Sequence, residues 1–105
     1  MILKINRMIR SIISLNRKIE FNTIVKMLNF NNEDHLFDVG SGDGYWTNKF
    51  SYFAKDVVGI DPTKELLNLS IEHYNKKNLK FVYGSAEKFP FDDNSFNKVA
   101  SVSTV

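Results

Sequence analysis

The chain of 105 residues, 43% hydrophobic and 25% charged, has the length and composition of one globular domain with one modest core. It contains no cysteine, which excludes disulfides and thiolate metal sites, and no apolar run approaching the roughly 20 residues that a membrane-spanning helix needs. Its net charge of +2 conceals an asymmetry: five basic residues (Lys4, Arg7, Arg10, Arg17, Lys18) and no acid precede Glu20, and nine basic against twelve acidic residues make up the rest.

In chain order, Ile2, Ile5, Ile9, Ile12, Ile13 and Ile19 recur near helical spacing with the basic residues mostly between them. This predicts a basic amphipathic helix over residues 1–19. Three roles are open to it: packing on the domain, contact with a membrane surface or partner, or a targeting presequence that would carry an otherwise cytoplasmic protein into an organelle. Phe21, Ile24, Val25 and Leu28 continue a helical period to Phe30, and residues 29–34 form a polar turn.

Residues 35–39 read as a strand that runs into Leu36-Phe-Asp-Val-Gly-Ser-Gly-Asp-Gly44. Gly40, Gly42 and Gly44 remove Cβ three times in five residues, so the backbone can approach a ligand closely and adopt φ values closed to other residues. A helix over residues 45–53, with Trp46, Phe50 and Phe53 on one side, would aim free N–H groups and its positive end at whatever lies above the loop. A flexible turn is the bland alternative. Val57 to Ile60 is a second strand, closed by Asp61 and by Pro62, which suits the first turn of a helix. That helix spans residues 63–74, with Leu66, Leu67, Ser70, Ile71 and Tyr74 at helical spacing.

Residues 79–83 are a third strand and residues 99–105 a fourth. The alternation predicts an α/β fold: a partial doubly wound, Rossmann-like parallel sheet of about four strands with flanking helices and an N-terminal helical extension. Residues 20–105 are expected to be the N-terminal part of a larger domain, or a shortened gene product, because a sheet stopping at the fourth apolar strand leaves a hydrophobic edge unpaired; a minimal sheet completed by an oligomeric partner is the alternative.

The spacing excludes two nucleotide motifs. A dinucleotide fingerprint, G-x-G-x-x-G counted from Gly40, would need glycine where Tyr45 stands, and no Gly-Lys-Ser/Thr follows for a P-loop. What stands instead is an acid followed by alternate glycines from Asp38 to Gly44. Together with Val57-Val-Gly-Ile-Asp-Pro62 and Gly84-Ser-Ala-Glu-Lys-Phe-Pro-Phe-Asp-Asp-Asn-Ser-Phe96, in that order, this resembles the class I S-adenosylmethionine-dependent methyltransferases. The likeness is to the type 11 branch, which includes ubiquinone and menaquinone biosynthesis enzymes, and it runs from about Glu20 to Val105.

The resemblance implies S-adenosylmethionine as cofactor, held by Asp38, Gly40, Ser41, Gly42, Gly44, Asp61, Pro62, Ser85 and Ala86. Asp61 would accept hydrogen bonds from both ribose hydroxyls, Asp38 would lie near the methionine end, and Ser85 and Ala86 would meet adenine. Read from the residues alone, Asp61 is also an N-cap ahead of Pro62, and Asp38 a strand-end carboxylate tied to neighbouring backbone. Two positions depart from the family pattern: Ser85 stands where an acid is common, and Asn97 replaces the acid before the fourth strand. The resemblance implies that residues 20–105 are the N-terminal, cofactor-binding half of a methyltransferase domain acting on a small-molecule acceptor; the alternative is a non-catalytic fragment, or a partner- or membrane-binding module, that retains the cofactor-binding fold. No general base is identifiable, since His35 and His73 are candidates by residue type alone, and there is no nucleic-acid or metal-site signature.

Overall fold

A computed structural model of the chain describes residues 12–16, 23, 26, 29–85 and 95–103. Five strands form one sheet: β1 (Ile12–Asn16), β2 (His35–Val39), β3 (Asp56–Asp61), β4 (Leu79–Tyr83) and β5 (Lys98–Ser103). Every pairing is parallel and the order is β1-β5-β2-β3-β4. Helix α1 (Tyr45–Phe50) links β2 to β3, and α2 (Lys64–His73) links β3 to β4. The chain thus steps outward from β2 in one direction, then returns to place β5 on the other flank of β2. This is the topology of a partial doubly wound, Rossmann-like sheet, with its switch point between β2 and β5.

The period of two along each strand divides the core. On one face, Leu36, Val57, Leu79 and Ala100 cluster with Phe50 of α1, and Trp46, Tyr74 and Phe81 pack around them. On the other, Phe37, Ile60 and Val99 cluster with Phe96, whose ring stacks on Phe37 at 5.1 Å. The strand register extends the first face upward: Asp38 lies opposite Gly59, and Asp61 follows two residues later on the same side. The two acids identified from sequence therefore share the helix-covered face at the C-terminal ends of adjacent strands.

The opposite end of the sheet is held by a polar hub. The Asp34 carboxylate accepts from Lys98 Nζ at 2.5 Å, Asn97 Nδ2 at 2.7 Å and the Asn31 N–H at 2.7 Å. Its backbone carbonyl receives the Lys55 and Asp56 N–H groups. Burial works to raise the Asp34 pKa, but these donors outweigh it and hold the carboxyl below its ordinary 3.8. Asn97 also accepts the His35 N–H through Oδ1 at 2.6 Å. An amide suits position 97 because it donates to Asp34, whereas an acid there would set two carboxylates face to face.

Three expectations are corrected. Ile12–Asn16 is a strand, hydrogen-bonded along β5 from Ile12 opposite Val99 to Asn16 opposite Ser103, where a helix over 1–19 was expected. The isoleucine spacing fits a helix, but Ile12 and Ile13 are β-branched, and the open flank of β5 offers backbone partners that a helix cannot use. The remainder of 1–19 lies outside the described residues. Among the described residues the sheet accordingly has five strands, and the flank of β5 expected to stay unpaired is occupied by β1. Helix α1 ends at Phe50 and not at Phe53, because Tyr52 and Phe53 bond three residues back, to Lys49 and Phe50, and tighten the last turn. Of the expected helix before Phe30, Thr23 and Lys26 are helical.

Candidate functional site

At the C-terminal ends of β2 and β3 the glycine loop folds over the sheet. The Gly40 and Ser41 N–H groups both donate to the Ile60 carbonyl at 2.9 and 3.0 Å, so the loop crosses from β2 onto β3. Four glycines allow this path in two different ways. A methyl group added at Gly40 or Gly42 would meet nothing within 4 Å among the described residues, although both residues have positive φ, 73° and 58°. Added at Gly44 it would lie 2.9 Å from both the Phe81 ring and Ser70 Oγ, and at Gly59 it would lie 2.7 Å from Ser41 Cβ and 3.0 Å from Thr47 Cγ2. Gly40 and Gly42 thus keep the outer side of the loop open, and Gly44 and Gly59 let it sit down on the sheet.

Asp61 links the loop to the next helix. Its Oδ2 accepts the Gly42 N–H at 2.9 Å and its Oδ1 the Thr63 N–H at 2.8 Å. The N-cap of α2 is Thr63, whose own side chain makes no cap bond, so the capping expected of Asp61 takes the form of a turn that fixes Thr63. A carboxylate has about four acceptor positions, and two remain after these bonds among the described residues. The Asp61 carbonyl receives the Gly84 N–H at 3.1 Å, which brings the half-buried Ser85 to the same end of the sheet.

Asp38 is 2% exposed and accepts the Thr47 hydroxyl at 2.6 Å. Burial raises its pKa to about 7, the Thr47 hydrogen bond works against this, and the nearby Asp61 charge adds to it. Between pH 3.8 and about 7 the folded state therefore holds a proton that the unfolded chain has released, and stability falls as pH rises through that window. Asp38→Asn, which is neutral throughout, is expected to be more stable than wild type at pH 8, by roughly 2–4 kcal/mol, and equal to it near pH 4. Urea unfolding at both pH values measures this, and an unchanged pH slope in the variant contradicts it.

The structure brings Asp38, Gly40, Ser41, Gly42, Gly44, Asp61 and Ser85 together. Ala86 lies outside the described residues, and Pro62 is exposed beside Asp61. Ser41 turns its side chain under the loop onto Gly59, where its Oγ is buried without a hydrogen-bond partner among the described residues. His35 binds Asp56 at 2.8 Å at the far end of the sheet, and His73 bonds the Leu69 carbonyl on its own helix, so neither reaches the loop. Thr47, Gly59 and Ser70 are neighbours of the loop that motif matching passes over; a small residue opposite a strand-end acid is the signal for Gly59. Among the described residues no cluster of acids and histidines could hold a metal, and no helix is long and apolar enough to cross a membrane.

Residues 37–105 match the family model described as a methyltransferase domain. Two curated relatives from Bacillus subtilis are similar to the chain. The uncharacterized methyltransferase YcgJ is 34% identical over 62% of this chain and 27% of its own length, and the uncharacterized methyltransferase YdaC is 31% identical over 74% and 44%. The chain thus spans between about a quarter and under a half of these relatives. The crystal structure of YcgJ superposes with a TM-score of 0.71 at 29% identity, over 76% of this chain and 36% of that one. An S-adenosylmethionine-dependent methyltransferase from Mesorhizobium loti, 19% identical, shares the fold with a TM-score of 0.68 over 78% of this chain and 38% of that one.

Proposed function

This chain belongs to the methyltransferase domain family, and on that premise we propose that its glycine loop, Asp61 and the Gly84 turn form the S-adenosylmethionine site of a methyltransferase. One observation carries the reading. Among the described residues the outward face of the loop is open above Gly40 and Gly42, and Asp61 stands beside it with acceptor positions that none of them fills. The residues fit the cofactor in kind: a carboxylate for vicinal ribose hydroxyls, a backbone without Cβ where the ligand lies flat, and a buried acid at Asp38 beneath its charged end. Charge-assisted bonds from hydroxyls to Asp61 are about twice as strong as neutral ones.

When bound, the cofactor supplies a methyl carbon that forms a bond to an acceptor O, N or C atom while its bond to sulfur breaks and the electron pair stays on sulfur. The described residues hold the donor. Gly40, Gly42 and the Ser41 backbone would bound its lower side, Asp61 would orient its ribose, and Ser85 would lie toward the adenine; Ala86, expected there from the sequence, lies outside the described residues. Fixing the donor for in-line attack and excluding water is the main contribution, an effect worth up to about 7–11 kcal/mol in well-oriented systems. The proposed acceptor is a small molecule, and residues 1–19 are proposed to contact a partner or membrane surface outside β1.

Titration calorimetry with S-adenosylhomocysteine tests the site. Wild type is expected to bind with a dissociation constant on the order of micromolar, and Asp61→Ala and Gly42→Val each to weaken binding by about tenfold or more. Valine at Gly42 would fill the open ligand side and would not tolerate φ of 58°. Unchanged affinity in both variants, with intact thermal transitions, would exclude this site.

A further inference from the structure

Ser70 occupies an unexpected place. It lies in the middle of α2, fully buried, at one of the two buried positions through which that helix meets the sheet, the other being Leu67. A hydroxyl buried there is unfavourable unless it is bonded. Its Oγ stands 3.0 Å from the Gly42 carbonyl and 3.0 Å from the Leu66 carbonyl. One hydroxyl proton cannot fully serve both. The Leu66 carbonyl already accepts the Ser70 N–H in the helical ladder, whereas the hydroxyl is the only donor to the Gly42 carbonyl among the described residues.

The size of the side chain is set by Gly44, whose Cα approaches Ser70 Oγ so closely that an added methyl would lie 2.9 Å away. Alanine would satisfy that limit equally well, so packing does not account for the hydroxyl. Gly42 does account for it. A glycine with φ of 58° has the least intrinsic restraint of any residue, and the orientation of its two peptide groups must come from outside. Asp61 fixes the N–H on one side at 2.9 Å, and Ser70 fixes the carbonyl on the other.

We infer that Ser70 is a positioning residue of the cofactor site: through the Gly42 carbonyl it holds the open arm of the glycine loop in the orientation that the ligand meets. This rests on the reading of the loop as the cofactor site. Without the hydroxyl, the same loop is reachable but must be ordered on binding, which lowers affinity.

The test combines amide hydrogen exchange in the ligand-free chain with S-adenosylhomocysteine calorimetry on wild type, Ser70→Ala and Ser70→Cys. Loss of one neutral hydrogen bond corresponds to about fivefold. Ser70→Ala is expected to speed exchange at the Gly42 amide by about fivefold, to leave exchange in β3 unchanged, and to weaken binding by a similar factor. Ser70→Cys, a near-isosteric but weaker donor, is expected to fall between the two. A purely packing role would leave affinity unmoved and show no graded recovery. Equal affinity of wild type and Ser70→Ala overturns this inference alone, whereas absence of binding by wild type overturns it together with the cofactor reading.

Discussion

Gly59→Val is expected to destabilise the domain by about 3 kcal/mol, although valine is among the residues most at home in a strand. Position 59 has ordinary strand geometry, so backbone strain plays no part. The obstacle lies above it: Ser41 and Thr47 rest on the bare Cα, and an added Cβ would come within 2.7 Å of Ser41 Cβ. Because that contact is close to the loop backbone, relief requires lifting the whole crossing from β2 to β3, together with its two bonds to the Ile60 carbonyl. The midpoint of urea unfolding measures the loss. The double variant Gly59→Ala with Ser41→Gly is expected to recover part of what Gly59→Ala alone loses, since the two positions touch. Equal stability of Gly59→Val and wild type would contradict the packing described.

Lys98→Met is expected to lower stability by roughly 3 kcal/mol at neutral pH, because it strips the cation from a carboxylate that is 5% exposed. The sign of the pH dependence follows from Asp34. Its pKa in the folded state is depressed below 3.8, so the pair contributes stability that is present above that value and is lost as pH falls through the folded value. The gap between variant and wild type should therefore narrow as pH falls toward and through the depressed folded-state value, where Asp34 takes up its proton and no longer needs the cation. Unfolding curves at pH 7 and pH 3.5 decide the matter. A difference independent of pH would show that Lys98 acts through its contact with Phe30 and not through Asp34.

How far the sequence reached is best seen element by element. Residues 35–39 and 79–83 were bounded correctly because short β-rich runs flanked by turn residues carry a strong local signal. The stretch 12–16 was not, because isoleucine at helical spacing is equally compatible with a strand, and the deciding partner, β5, lies almost the whole chain away. The glycine loop and both acids were readable as a motif, and the family model agrees with the domain they imply. Gly59, Thr47 and Ser70 were not, since each matters only through what the register sets beside it: Gly59 opposite Asp38, Thr47 above both, and Ser70 across from Gly42. Asn97 shows the reverse case, a departure from pattern that only the neighbouring Asp34 explains.

The pairing of β1 with β5 has a further consequence, for the order of events in time. Strands β2, β3 and β4 pair in chain order across short crossovers, but Ile12 must wait for Val99. Closing so long a loop is slow, and contacts of this kind reduce folding rate more than they reduce final stability. During synthesis Ile12–Asn16 emerges long before β5, the strand with which it pairs. Through that interval it is an unpaired strand with several basic residues around it. The same charges that suggested a surface helix would, in this period, keep nascent copies of the segment from pairing with one another.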